Sequence, residues 1–128
     1  MMLPMIEVLV VEPDPLWRAL IARALGRQDG LDVWPPLDGT TSAQSRLDAS
    51  ASRPRVAVIA SECDDVCTRL VGDGVGVVLV YPTSDPASAA DAWSRGARGC
   101  VPRAATAGML SRTVLEVAQG RSSYGCSS

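Results

Sequence analysis

Short runs of apolar residues alternate along this chain with longer stretches in which apolar residues recur every three to four positions. The short runs are rich in valine, and most are bounded by proline, glycine or aspartate, as in strands that are buried on both faces of a sheet. These runs predict five strands, at residues 5–11, 31–34, 56–60, 76–81 and 99–101.

The stretches between these runs have the periodicity of amphipathic helices. Asp14 and Asp85 each stand directly before a proline, which is the pattern of a helix N-cap followed by the first helical residue. Asp64 or Asp65 can cap the third helix, and Thr106 begins the last one. The predicted helices cover residues 15–25, 41–49, 65–71, 86–95 and 106–119.

Five strands that alternate with five helices through short connections predict a doubly wound α/β fold. Each parallel pair needs a right-handed crossover, so helices would cover both faces of a five-stranded parallel sheet. We predict one domain over residues 1–120 and a flexible C-terminal tail at residues 121–128, where serine is frequent and no apolar period remains.

The composition removes much of the chemistry that enzymes use. The 128 residues include 12 basic and 14 acidic side chains, giving a net charge of −2, and lysine, histidine, asparagine and phenylalanine are absent. Without histidine or lysine there is no Ser-His or Cys-His dyad, no histidine metal ligand and no Schiff-base lysine. We therefore expect no enzyme, and the slightly acidic balance argues against direct nucleic-acid binding by this chain.

Targeting signals and metal or redox motifs are not evident either. The N-terminal run contains Glu7 and lacks the pattern of a signal peptide, and no apolar run is long enough to span a membrane, so we expect a soluble, cytoplasmic protein without membrane association. The four cysteines contain no C-x-x-C spacing, so we expect reduced, inert thiols and neither a metal nor a cofactor. These cysteines are Cys63, Cys67, Cys100 and Cys126.

In a doubly wound sheet, the functional crevice lies at the carboxyl ends of the strands. This rule selects candidate residues from the strand predictions alone. The selected side chains include a carboxylate pair, a phenol, a guanidinium group and a methyl group. They are Glu12, Pro13 and Asp14 after the first strand, Ala60 and Ser61 after the third, Tyr81 after the fourth, and Pro102 and Arg103 after the fifth.

Four segments resemble the receiver domains of response regulators, most nearly those of LuxR/NarL-type regulators. They are VLVVEPDPL at 8–16, LDG at 37–39, RPRVAVI at 53–59 and GARGCVPRAAT at 96–106. The last segment is the most specific, and the resemblance extends from about Ile6 to Gly120. It implies a flavodoxin-like or CheY-like sheet with the strand order 2-1-3-4-5.

The same resemblance implies a phosphorylation site whose residues are altered here. The family has an acceptor Asp after the third strand, and this chain has Ala60. The family's acidic pair, which holds Mg²⁺, corresponds to Glu12 and Pro13, its Ser or Thr to Tyr81, and its Lys to Arg103. Since Mg²⁺ requires near-octahedral oxygen ligation, we expect this degenerate pocket to bind no metal.

Several of these residues allow two interpretations. Glu12 and Arg103 can form an ion pair that closes the pocket, or remain two partly exposed charges worth little. Asp64 and Asp65 can be relocated acceptors or helix caps, and we expect caps; for Asp14 we expect a cap rather than a metal ligand. Tyr81 can be locked in one rotamer or can seal a small ligand site. Glu62 is expected to be a solvated loop residue.

In the family, the fourth helix, the fifth strand and the fifth helix form the signalling and dimer face. A protruding aromatic side chain on such a face is a candidate hot spot, against the alternative of ordinary half-burial, and Trp93 lies beside the apolar stripe of the fourth helix. The candidate residues of this face are Trp93, Arg95, Arg98, Pro102 and Arg112.

Our leading hypothesis is a phosphorylation-independent receiver domain that acts as the regulatory and dimerisation module of a transcriptional regulator. We expect a homodimer, with DNA contacted only through an output domain outside this chain. The alternative is a small-molecule-sensing domain whose effector binds the vacated crevice or the dimer face. A flavodoxin-like or cobalamin-binding function lacks its Ser/Thr/Gly-rich loop or its histidine.

Overall fold

A computed structural model describes residues 5–127 as a layered α/β domain. Its strands are β1 (Ile6–Val11), β2 (Leu31–Val33), β3 (Val56–Ala60), β4 (Gly76–Tyr81), β5 (Gly99–Pro102) and β6 (Ser123–Tyr124). Its helices are α1 (Pro15–Gly26), α2 (Thr40–Asp48), α3 (Asp64–Gly72), α4 (Pro86–Ser94) and α5 (Ala107–Ala118), followed by a short 3₁₀ turn at Gly125–Ser127.

The strands form one parallel sheet in the order β2-β1-β3-β4-β5-β6. The doubly wound fold and the predicted order of the first five strands are confirmed. The register aligns the strand ends that carry the candidate residues: Val11 pairs with Ile59, Ala60 with Val80, and Tyr81 with Pro102. The carboxyl ends of β1, β3, β4 and β5 therefore open on one edge of the sheet.

Alternate residues of each central strand enter two separate hydrophobic cores, because successive side chains of a strand point to opposite faces. Leu9, Ile59 and Leu79 pack on the side of α2, α3 and α4. Val10 and Val58 pack on the side of α1 and α5. This double burial explains why the strand runs are continuously apolar instead of alternating.

Three of the predicted helix starts are confirmed by hydrogen bonds, and one is wrong. Asp14 accepts from the backbone N–H groups of Leu16 and Trp17, and Asp85 and Thr106 cap α4 and α5 in the same way. The N-cap of α3 is Cys63, whereas Asp64 and Asp65 lie in its first turn without capping it. At that position their negative charges still interact favourably with the partial positive charge at the N-terminus of the helix.

The segment after Gly120 differs from the predicted flexible tail. Residues 121–127, called here the C-terminal strap, add β6 to the open edge of β5, where Gly99 pairs with Ser123 and Cys100 with Tyr124. The strap also inserts the fully buried Cys126 into the core. The prediction of five strands and a frayed tail is therefore corrected for these residues. Within residues 5–127, no helix is both long enough and apolar enough to cross a membrane.

Candidate functional site

Four strand ends bring the predicted crevice residues together, and short backbone hydrogen bonds hold the loops that follow. The N–H group of Glu12 donates to Leu37 O (3.0 Å), and that of Ser61 donates to Val80 O (2.9 Å). The N–H group of Arg103 donates to Tyr81 O (2.8 Å). The backbone around the crevice is therefore fixed on both sides of the candidate side chains.

A bidentate ion pair between Glu12 and Arg103 occupies the crevice. The Nε and Nη2 atoms of Arg103 donate to Oε1 and Oε2 of Glu12 at 3.2 and 3.1 Å. The structure therefore has the ion pair, with Glu12 buried at 1% exposure and the Arg103 side chain 20% exposed, rather than two partly exposed charges apart from each other. Two parallel bonds of this kind fix both distance and orientation.

Two further groups complete the environment of this pair. The backbone N–H of Asp14 donates to Glu12 Oε2 at 3.1 Å, so that both carboxylate oxygens have donors. Glu62 also approaches Arg103, with 3.3 Å between Oε1 and Nη2. Glu62 is exposed, as expected of a loop residue, but its carboxylate pairs with Arg103 rather than with water alone.

This donor set does not fit Mg²⁺. The Glu12 carboxylate is already bound by Arg103, Pro13 supplies no side-chain oxygen, and Ala60 ends in a methyl group. Asp14 turns away to cap α1, as predicted. Among residues 5–127, no three acidic, cysteine or histidine side chains converge as metal ligands. A hard dication that demands six oxygens would find a guanidinium group in its place.

Tyr81 is turned toward α4 and held there. Its hydroxyl donates to Asp91 Oδ2 at 2.6 Å, and the same oxygen accepts from Arg95 Nη1 at 3.3 Å. Arg95 also forms an ion pair with Asp64 in the first turn of α3. One chain of polar contacts therefore connects the end of β4 with α4 and α3, and the phenol is fixed in a single orientation.

This location makes the Tyr81 phenol a source of pH-dependent stability. Burial, followed by the hydrogen bond and the charge of Asp91, raises the pKa of Tyr81 well above its usual value of 10.0. As the pH rises, the unfolded chain therefore loses the phenolic proton first. The stabilisation is fully present below pH 10 and is lost as the pH rises above that value.

We expect Tyr81→Phe to flatten the alkaline decline in the free energy of unfolding, since phenylalanine has no proton to lose. Urea denaturation at intervals between about pH 8 and pH 11 spans the pH at which the unfolded phenol ionises and measures this slope. An alkaline slope equal to that of the unaltered protein would contradict the assignment of this titration to Tyr81.

The predicted signalling face is only partly open. Trp93 protrudes with 73% of its surface exposed, so the alternative of half-burial is wrong, and Arg112 is exposed on α5. Arg95 instead belongs to the polar chain below Tyr81, and Arg98 Nη1 donates weakly to Gly120 O at 3.4 Å. Pro102 is the last residue of β5, after the residues Gly99 and Cys100 that pair with the strap. The dimer role of this face stays a prediction.

Two features of this region, the role of Asp91 and the position of the strap, were not predicted from the sequence. Asp91, the partner of Tyr81, lies in the middle of α4, and no local pattern distinguishes it from an ordinary exposed helix residue. The strap has a weak signal in hindsight, because Tyr124 and Cys126 place two side chains that are often buried in an otherwise serine-rich stretch.

Solved structures with the same architecture are receiver domains of response regulators. The signal receiver domain of the response regulator NarL from Mycobacterium tuberculosis matches with a TM-score of 0.79 and 24% identity, over 93% of this chain and 100% of that chain. A LuxR-family response regulator from Aurantimonas sp. matches with a TM-score of 0.80 and 16% identity, over 93% of this chain and 89% of that chain. A LuxR-family DNA-binding response regulator from Silicibacter pomeroyi matches with a TM-score of 0.76 and 22% identity, over 94% of this chain and 96% of that chain.

No protein-family model and no curated protein sequence matches the chain. The structural likenesses establish that the chain has the receiver fold.

Proposed function

We propose that this chain is a phosphorylation-independent receiver domain, the regulatory module of a LuxR/NarL-type transcriptional regulator. The observation that carries the proposal is the buried Glu12–Arg103 pair beside Ala60. A receiver needs a carboxylate to accept the phosphoryl group and a cation to neutralise it, and here the acceptor is a methyl group. The likeness to LuxR-family receivers supports the regulatory assignment.

The fixed phenol of Tyr81 supports the same proposal. A module that responds to phosphorylation needs a side chain at the end of β4 that can move with the charge. Here the phenol donates to Asp91, and Arg95 and Asp64 extend the contact to α3. This arrangement favours a module that acts through binding rather than catalysis. We further propose that the module acts in the cytoplasm and dimerises through the α4 side of the domain, where Trp93 is exposed.

The test exposes the purified chain to acetyl phosphate, or to beryllofluoride, in the presence of Mg²⁺. We expect no phosphoryl adduct by intact mass and no change in oligomeric state. A variant with Ala60→Asp, Pro13→Asp and Arg103→Lys restores the acceptor, the second acidic residue and the lysine, and serves as the positive control. An acid-labile adduct on the unaltered chain, together with a shift toward dimer, would overturn the proposal.

A groove beside the crevice favours small-molecule sensing as a second candidate function. It has a volume of about 600 Å³ and lies between α1 and the β5–α5 loop. Its lining includes Leu20, Ile21, Ala24, Arg103 and Leu110. This volume is in the range of ligand sites. A metabolite that raises the melting temperature, with the rise lost in Ala24→Leu, would support this function. A panel without any such ligand would count against it.

A further inference from the structure

Two buried cysteines from distant parts of the sequence meet where the strap crosses β5. Cys100 lies within β5, Cys126 lies in the 3₁₀ turn of the strap, and neither thiol is exposed. Both belong to the core on the α4 side of the sheet, and the 3₁₀ turn that carries Cys126 packs directly on β5, which carries Cys100. The two are free cysteines in the structure.

The strap brings Cys126 to this position through a small number of contacts. The N–H group of Ser123 donates to Arg98 O at 2.9 Å, and the hydroxyl of Tyr124 donates to Ala97 O at 2.8 Å. A Cβ atom at Gly125 would lie 3.2 Å from Cys100 O, so the backbone of the strap sits directly on β5. A strand of two residues has few bonds to break, and local opening of such a segment costs little free energy.

We propose that Cys100 and Cys126 are a redox-modification site, at which a small-molecule disulfide such as oxidised glutathione closes a bond that fixes the strap on β5. In the closed strap both thiols are buried and so protected from solvent. Burial, followed by the neighbouring Cys100, raises the pKa of Cys126 to about 12. Reaction therefore follows opening of the strap, which exposes Cys126 to solvent. Formation of the bond does not depend on the proposed function. Any influence of the bond on dimerisation through the α4 side of the domain does rest on it.

The chemistry balances as two thiol–disulfide exchanges. The Cys126 thiolate attacks one sulfur of the oxidant, forms a mixed disulfide and releases one thiol. When the strap closes again, the Cys100 thiolate attacks the Cys126 sulfur and displaces the second thiol. The protein loses two electrons and two protons, and the oxidant becomes two molecules of thiol.

Cys63 and Cys67 provide a matched comparison within the same chain. Both are buried, and burial raises the pKa of each thiol, as it does for Cys126. They lie one turn apart at the start of α3, a continuous helix of nine residues, rather than in a short segment at the edge of the sheet. Burial is therefore common to both pairs, and a segment that can open distinguishes the Cys100–Cys126 pair.

Peptide mapping tests the bond directly. The 128-residue chain is equilibrated with oxidised glutathione, alkylated and digested with trypsin without reduction. Trypsin would release Cys100 in the peptide 99–103 and Cys126 in the peptide 122–128, while Cys63 and Cys67 share the peptide 56–69. We expect a cross-linked product of the first two peptides that disappears on reduction.

Variants separate this bond from general thiol oxidation. We expect Cys126→Ser to lose the cross-link and the Cys63→Ser/Cys67→Ser double variant to retain it. Tyr124→Phe, which removes the hydrogen bond to Ala97, should oxidise several-fold faster because the strap opens more often. Absence of the cross-link, a dominant Cys63–Cys67 bond, or oxidation unaffected by Tyr124→Phe would each overturn the proposal.

Limited proteolysis measures the consequence for the strap. Cleavage after the exposed Arg121 should release the peptide 122–128 from reduced protein, whereas oxidised protein should keep it attached until a reductant is added. We also expect the oxidised protein to melt several degrees higher, since the bond closes a long loop. Release of the peptide at equal rates from both forms, without reductant, would contradict a fixed strap.

Discussion

Replacement of Arg103 by alanine is expected to destabilise the protein by about 3–5 kcal/mol, the cost of removing one partner of a buried ion pair. The variant leaves the Glu12 carboxylate buried at 1% exposure, with only the N–H group of Asp14 as a donor. A buried charge without a partner loses its hydration and gains nothing in exchange. The large effect arises from the orphaned carboxylate rather than from the strength of the pair itself.

Urea denaturation at neutral pH measures this loss, and two controls identify its origin. Arg112→Ala removes an exposed arginine from α5 and should change the free energy of unfolding by no more than about 0.5 kcal/mol. Glu12→Gln combined with Arg103→Ala replaces the orphaned charge by a neutral amide and should recover much of the stability. A cost below about 1 kcal/mol for Arg103→Ala would mean that the pair behaves as a surface salt bridge.

The ion pair also has a consequence for the architecture of the crevice. In the sheet order, β3 and β4 lie between β1, which carries Glu12, and β5, which carries Arg103. Arg103 can cross the ends of both strands because Ala60 ends in a methyl group and leaves the space open. The missing acceptor and the salt bridge are therefore linked, since a carboxylate at position 60 would compete with Glu12 for the same guanidinium group.

Much of the fold follows from the sequence because strands buried on both faces produce continuous apolar runs. Runs such as 56–60 and 76–81 were predicted with the bounds that the structure has. The Glu12–Arg103 contact was also predictable, as one of two alternatives, because the rule for strand ends places both residues at the same edge of the sheet.

The remaining features depend on tertiary contacts that leave little local pattern. β6 has two residues, too few for a period, and it forms because the edge of β5 would otherwise leave backbone groups unpaired. Asp91 contacts Tyr81 only because α4 packs over the end of β4. The start of α3 at Cys63 instead of Asp64 or Asp65 reflects where the loop after β3 turns, which cap preferences alone do not determine.

Gly99→Ala is expected to displace the strap and to lower the free energy of unfolding by about 1–3 kcal/mol, the usual cost of overpacking a buried site. A Cβ atom at this position would lie 2.8 Å from Ser123 O, closer than such atoms approach. It would also lie 3.1 Å from Thr113 Cγ2 and 3.2 Å from Val117 Cγ2, both on α5. The helix is packed in the core, so the strap is the element that can move.

Thiol labelling detects this movement separately from the loss of stability. In Gly99→Ala, Cys126 should react with a maleimide many-fold faster than in the unaltered protein, whereas Cys63 and Cys67, on the buried side of α3, should keep their slow rates. The matched control is Gly108→Ala, where an added Cβ meets no atom within 4 Å and where alanine favours the helix. Equal acceleration at all buried cysteines would indicate global unfolding, and unchanged labelling of Cys126 would show that the sheet accommodates the methyl group with β6 in place.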